Sequence, residues 1–233
     1  MELRSWTPYH SSLSEGPEEL ALAIDRDRGK RLLVVPALFD EANKMRRFTL
    51  GVMRALDEAG IDTLLPDWPG CNESLSHLAD QTLECWRSCA DQAARGFCAT
   101  HVLTMRAGAL LSPATLPGWR YAATSGRKQL AGLLRAQVIA EREAGRNRTR
   151  EELLSQGRQS GLMLGGWDIG AEMLKELETA EIPQIEGQSE VEQRRLGGAG
   201  LWLRAQPDDD PAQALALASI VAAEIAGQAE PAP

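Results

Sequence analysis

Short apolar runs alternate with longer stretches of helical period along the first half of the chain. Residues 31–36 (Arg-Leu-Leu-Val-Val-Pro) form an unbroken apolar run, the pattern of a strand buried on both sheet faces. Residues 21–24 just upstream read as a preceding strand, turned by Asp-Arg-Asp-Arg-Gly. From 43 to 59, Met45, Phe48, Val52 and Leu56 share one stripe and Gly60 follows as a stop, which predicts an amphipathic helix. The alternation continues with a strand over 61–66, a helix over 76–95, a strand over 100–105 entering a small-residue helix start at Ala107, and a strand over 121–124. Strands separated by helices predict a parallel, doubly wound α/β sheet.

The pattern then changes. Residues 126–180 hold two or three helical stretches with no strand between them, as a helical cap inserted after a mid-sheet strand would. Within them Trp167 is expected to pack the cap and Asp168 to cap a helix starting near Gly170. Residues 181–200 are polar and glycine-rich, a loop, and 201–204 (Leu-Trp-Leu-Arg) is a weak last strand. A final helix over 212–226 starts after Asp-Asp-Asp-Pro211 and stops at Gly227. The segment after residue 182 is short for the strands that complete such a sheet, so its carboxyl-terminal edge is expected to be trimmed. The expected organisation is one α/β domain over 20–233 with a cap over 126–180, preceded by an extension over 1–19.

Composition narrows the classes. At 233 residues with 43% hydrophobic and 25% charged positions, the chain can build one substantial core. A net charge of −8 argues against a nucleic-acid binder. No run approaches the roughly 20 apolar residues of a membrane span, and the N-terminus lacks the basic-then-apolar order of a secretory signal, so a cytoplasmic location is expected. Against the overall acidity, residues 120–150 carry eight basic side chains and two acids, either a ligand-facing cap or a solvated helix face. The four cysteines, Cys71, Cys85, Cys89 and Cys98, have no further ligands at metal spacing. Neither a metal nor a cofactor is expected.

Three stretches in order carry a family resemblance: residues 34–47 (Val-Val-Pro-Ala-Leu-Phe-Asp-Glu-Ala-Asn-Lys-Met-Arg-Arg), 65–74 (Leu-Pro-Asp-Trp-Pro-Gly-Cys-Asn-Glu-Ser) and 105–111 (Met-Arg-Ala-Gly-Ala-Leu-Leu). They resemble the second type of exosortase A system-associated hydrolase, within the α/β-hydrolase superfamily. The likeness covers about residues 20–180, includes Ser125 to Leu130, and is most specific in Glu-x-Asn-Lys-x-Arg-Arg, from Glu41 to Arg47. It implies an α/β-hydrolase scaffold accessory to exopolysaccharide biosynthesis, and arginine at the nucleophile position.

Enzymes of this fold place the nucleophile at the centre of Gly-x-Ser-x-Gly, on a strained strand-to-helix turn. Here that pentad reads Thr104-Met105-Arg106-Ala107-Gly108, and a guanidinium, protonated at any working pH, cannot attack a carbonyl. The base histidine should follow the nucleophile in the chain, yet the only histidines are His10, His77 and His101. The expected protein therefore lacks the usual triad. Arg106 either binds a phosphate or carboxylate beside a helix N-terminus or pairs with an acid such as Glu41 or Asp67. Glu41, Asn43, Lys44 and Arg47 follow the first clear strand, where ligands bind in open α/β sheets, although helix capping by Asn43 and solvation of the cations would also account for them. Asp67 ends the next strand. The expected ligand site is Arg106, Glu41, Asn43, Lys44, Arg47 and Asp67, holding a small anion or a polysaccharide-pathway component. The alternative is an esterase or thioesterase using Cys71, with His77 close to it in sequence, or a water activated by Glu41 or Asp67. Ser125 has no identifiable base, and the glycine-dense run 161–170 lacks the Lys-Ser/Thr pair of a phosphate loop.

Overall fold

The computed structural model describes residues 1–8 and 17–227. A seven-stranded sheet runs in the order β1-β2-β4-β3-β5-β6-β9: β1 (Glu2–Trp6), β2 (Glu19–Ile24), β3 (Arg31–Val35), β4 (Asp62–Pro66), β5 (His101–Met105), β6 (Gly118–Tyr121) and β9 (Gln188–Val191). From β4 to β9 every pairing is parallel, and β1 and β2 form an antiparallel ribbon on one edge. The expected α/β sheet is present.

Alternate residues of the central strands feed two cores. Leu32 and Val34 of β3 face α1 (Asp40–Glu58) and α6 (Pro211–Gly227). Leu33 and Val35 face α2 (Leu83–Gly96), α3 (Gly126–Glu143) and α5 (Ala171–Thr179). The stripe on α1 is buried as its period predicts, with Met45, Phe48, Val52 and Leu56 at 0–1% exposure; each such side chain contributes about 1.5–3 kcal/mol. At Gly51, α1 lies so close to α6 that an added Cβ would come within 3.1 Å of Ala214.

Several expectations are corrected. The extension over 1–19 contributes β1, whose register pairs Trp6 with Glu19. The helix expected from 76 begins only at Leu83, because the Thr82 side chain accepts from the Cys85 N–H as an N-cap. The strand expected over 121–124 lies at Gly118–Tyr121, three residues earlier. Residues 201–204 form a 3-10 turn, Leu201–Leu203, and the last strand is the polar β9.

The cap region holds α3, α4 (Arg150–Ser160) and α5, but a hairpin, β7 (Leu162–Leu164) and β8 (Trp167–Ile169), separates the last two. Gly165 and Gly166 turn it with φ of 58° and 91°, the left-handed pair that a two-residue hairpin turn requires. Asp168 lies in β8, and the N-cap of α5 is Gly170, with no side-chain cap bond. Trp167 packs edge-on to Phe39 at 5.7 Å between ring centroids. Beyond β9 no further strand is present among the described residues, and the chain passes through two 3-10 turns into α6. Among the described residues no helix is long and apolar enough to cross a membrane.

Candidate functional site

The site sits where β3, β5 and β6 end. Val35 pairs with Thr104 and Met105 with Tyr121, so the segments leaving the three strands emerge side by side: Phe39 to Glu41 after β3, Arg106 after β5, Ala122 after β6. Arg106 is the first residue beyond β5 and has φ 53°. A side chain in that conformation costs on the order of 1–3 kcal/mol and persists only where its surroundings enforce it. The enforcement is visible two residues on. A Cβ at Gly108 would come within 2.2 Å of the Pro36 carbonyl oxygen, so only glycine lets this turn close against the end of β3. The elbow geometry inferred from the pentad is present, with arginine at its apex.

The Arg106 guanidinium is engaged from three directions. Nε donates to Glu41 Oε2 at 2.9 Å and an Nη donates to Glu41 Oε1 at 3.3 Å. The other Nη donates to the Ala122 carbonyl at 2.6 Å. Trp202, in the 3-10 turn before α6, lies with its ring 4.0 Å from the guanidinium carbon, close enough for cation–π attraction. The two ion-pair partners retain side-chain exposures of only 14% and 16%. Burial pushes the Glu41 carboxyl up from its ordinary value, and the bonds and charge of Arg106 pull against that.

The remaining expected site residues divide into two groups. Asn43 and Asp67 line one crevice of about 30 Å³ with Pro36, Arg46 and Asn72, room for little more than water. Asp67 accepts from Asn72 Nδ2 at 2.5 Å, and burial raises its carboxyl. Lys44 instead turns to Asp40 at 3.1 Å, and Arg47 is exposed, with no ion pair among the described residues. The helix start expected after the elbow is a six-residue 3-10 turn, Arg106–Leu111, too short to build the macrodipole of an α-helix beneath an anion.

Other candidate chemistry is dispersed. His101 begins β5 while Arg106 follows its end, roughly 16 Å away at 3.3 Å per residue; its ring stacks on Trp119 and its Nδ1 lies 2.9 Å from Thr100 Oγ1. His77 precedes the 3-10 turn Leu78–Asp80, and His10 lies outside the described residues. Burial pushes the Cys71 thiol up to about 12, which leaves almost no thiolate at neutral pH. Ser125 is the N-cap residue of α3. Among the described residues no group of three or more His, Cys, Asp or Glu side chains gathers as a metal site would.

Sequence reasoning missed Trp202 and Ala122. A carbonyl leaves no mark on the residue type, but a tryptophan in the segment before the last helix was a usable signal, hidden by reading 201–204 as a strand.

No family model and no curated protein matches the chain. Among solved structures it is similar to the alpha/beta hydrolase domain-containing protein 10 from mouse, with a TM-score of 0.55 and 12% identity over 97% of this chain and 100% of that one. An alpha/beta hydrolase fold protein from Nakamurella multipartita matches with a TM-score of 0.47 and 15% identity over 95% and 100%. A hydrolase from Agrobacterium vitis matches at 0.45 and 15% over 60% of each chain, so the chain spans about three fifths of that protein. The mouse match, together with the strand order and the elbow, establishes that this chain has the α/β-hydrolase fold.

Proposed function

We propose that this chain is a non-hydrolytic binding protein on an α/β-hydrolase scaffold, accessory to exopolysaccharide biosynthesis, with an anionic ligand at the carboxyl edge of the sheet. The observation that carries the proposal is the elbow: its apex is a guanidinium closed onto Glu41, the Ala122 carbonyl and Trp202, with no nucleophile and no histidine following it in the chain. The link to exopolysaccharide production rests on the resemblance of residues 34–47, 65–74 and 105–111. In this reading Arg106 holds the elbow, and ligand contact falls to two exposed cations of α1: Arg46, which lines the crevice beside Asp67, and its neighbour Arg47. The hydrolase alternative is weakened by the same geometry, since both Glu41 oxygens serve Arg106 and Cys71 is held as a thiol.

The test has two arms. Purified protein should neither turn over p-nitrophenyl esters nor take a covalent adduct from a fluorophosphonate probe; labelling would overturn the non-hydrolytic reading. Inorganic phosphate should change tryptophan fluorescence saturably, and R46A/R47A should weaken that binding about tenfold or more, as expected for lost charge-assisted hydrogen bonds. Equal binding by the variant would remove the anion site.

A further inference from the structure

The eight basic residues of 120–150 do not act as one group. Arg120 lies in β6, with its guanidinium on the carbonyls of Pro183 and Gln188. Arg146 and Arg148 close on the buried Glu141 carboxylate at 2.6 and 2.9 Å. The rest, Arg127, Lys128, Arg135, Arg142 and Arg150, are exposed; Arg127 and Arg150 lie within electrostatic reach of Glu178, whereas Lys128, Arg135 and Arg142 form no ion pair among the described residues. Four of these five lie on α3, whose solvent face carries a single acid, Glu143. Neighbouring surface helices behave differently: Lys175 pairs with Glu172 on α5, and Arg158 of α4 with Glu178 of α5.

Position sharpens the contrast. Lys128, Arg135 and Arg142 recur every seven residues, about 10.5 Å apart along the axis. A seven-residue row drifts by about 20° per repeat on a straight helix, so the three cations form one slanted line down the middle of the exposed face. A second row runs beside it at the same spacing, Gly132 and Ile139, with Ala136 next to it. Ile139 is 51% exposed, and an added Cβ at Gly132 would meet nothing within 4 Å. Two adjacent seven-residue rows, one cationic and one apolar or small, make the surface that a second helix crossing at about 20° recognises, with its acids opposite the cations.

We infer that the outer face of α3 is a docking surface for an acidic helical segment of another protein. Charge complementarity names the chemistry of the partner, and the row spacing favours a helix over a lipid surface. A bilayer needs no periodic spacing and would favour more bulky apolar side chains than Ile139 alone. This surface is separate from the elbow, so its failure would leave the proposed function untouched.

The probe is a synthetic helical peptide of about 20 residues, long enough to be stable as a helix, with Glu at seven-residue spacing beside a Leu/Ala row. Fluorescence anisotropy should show binding by the full chain that weakens as salt is raised. K128E/R135E/R142E should reduce the affinity roughly tenfold or more, since three attractive pairs become repulsive, while its thermal unfolding stays that of the parent. Three results would overturn the inference: no binding of the peptide at low salt, equal binding by the triple variant, or equal binding of a peptide with the same composition and scrambled spacing. Binding to phosphatidylglycerol vesicles in place of the peptide would also overturn it, in favour of a membrane surface.

Discussion

Removing the Arg106 guanidinium should destabilise the fold by stranding Glu41. In the parent, Glu41 accepts two bonds from Arg106 at 2.9 and 3.3 Å, and both side chains are about six-sevenths buried. Breaking a fully buried pair by deleting one partner costs on the order of 3–5 kcal/mol. The remaining exposure of Glu41 and its already raised pKa reduce that, because the carboxyl can take a proton in place of its counter-charge. Loss of the contact with the Trp202 ring adds about 0.5–1 kcal/mol, and the strained φ at position 106 remains with alanine. Arg106→Ala should therefore cost about 2–4 kcal/mol, a fall in Tm of roughly 4–16 °C for a domain of this size. In R106A/E41Q no charge is stranded, and about 1–2 kcal/mol should return, as coupled neighbours do in a double-mutant cycle. Lowering the pH should also shrink the deficit of the single variant, since protonated Glu41 needs no cation. Urea unfolding and circular dichroism melts at two pH values measure all of this. An Arg106→Ala protein that melts with the parent, or a double variant no more stable than the single one, would refute the idea that the ion pair holds the elbow.

Three further predictions concern the scaffold. Gly108→Ala should cost more than about 3 kcal/mol in urea unfolding, because backbone carbonyls of Pro36 and Val35 at 2.2 and 3.0 Å leave the Cβ no room; Gly132→Ala, in open space on α3, should instead stabilise by about 0.5–1 kcal/mol. Bonds first from Arg26 and then from Arg28 lower the Asp57 carboxyl from 3.8 to about 2. A carboxylate with a depressed pKa stabilises the fold above its unfolded pKa and loses that contribution as pH falls through the folded one. Asp57→Asn should therefore lower Tm near neutrality, and the gap to the parent should close between about pH 4 and pH 2.

The parts of the fold legible in the sequence were those buried on both sides. β3 and β5 are apolar runs, and α1 carries its stripe, because central elements must match their surroundings at nearly every position. The edges gave no such signal. β9 reads Gln-Ser-Glu-Val and buries only its two ends, and β1 has four exposed residues out of five, so hydrogen bonding to a neighbour defines them more than composition does. The β7–β8 hairpin was readable from Gly165-Gly166 between alternating residues, and was lost because Leu162, Met163 and Leu164 also suit a helix. At the site, the elbow followed from the pentad, since its geometry depends on a local strand-to-turn junction and on Gly108. The partner of Arg106 could only be narrowed to Glu41 or Asp67, because that choice depends on how β3 and β4 order themselves beside β5. Sheet order is a long-range property that no local pattern carries.

The anchorage of Arg106 also bears on how this site could be redesigned. Its three contacts come from segments far apart in the sequence, Glu41, Ala122 and Trp202. Arg106→Ser would put the usual atom of such an elbow at the apex, but it would also leave Glu41 uncompensated and Trp202 facing a gap. It would supply no histidine. A serine at the apex would thus cost stability without supplying a base, so any hydrolytic redesign of this elbow has to re-anchor Glu41 and Trp202 in the same step.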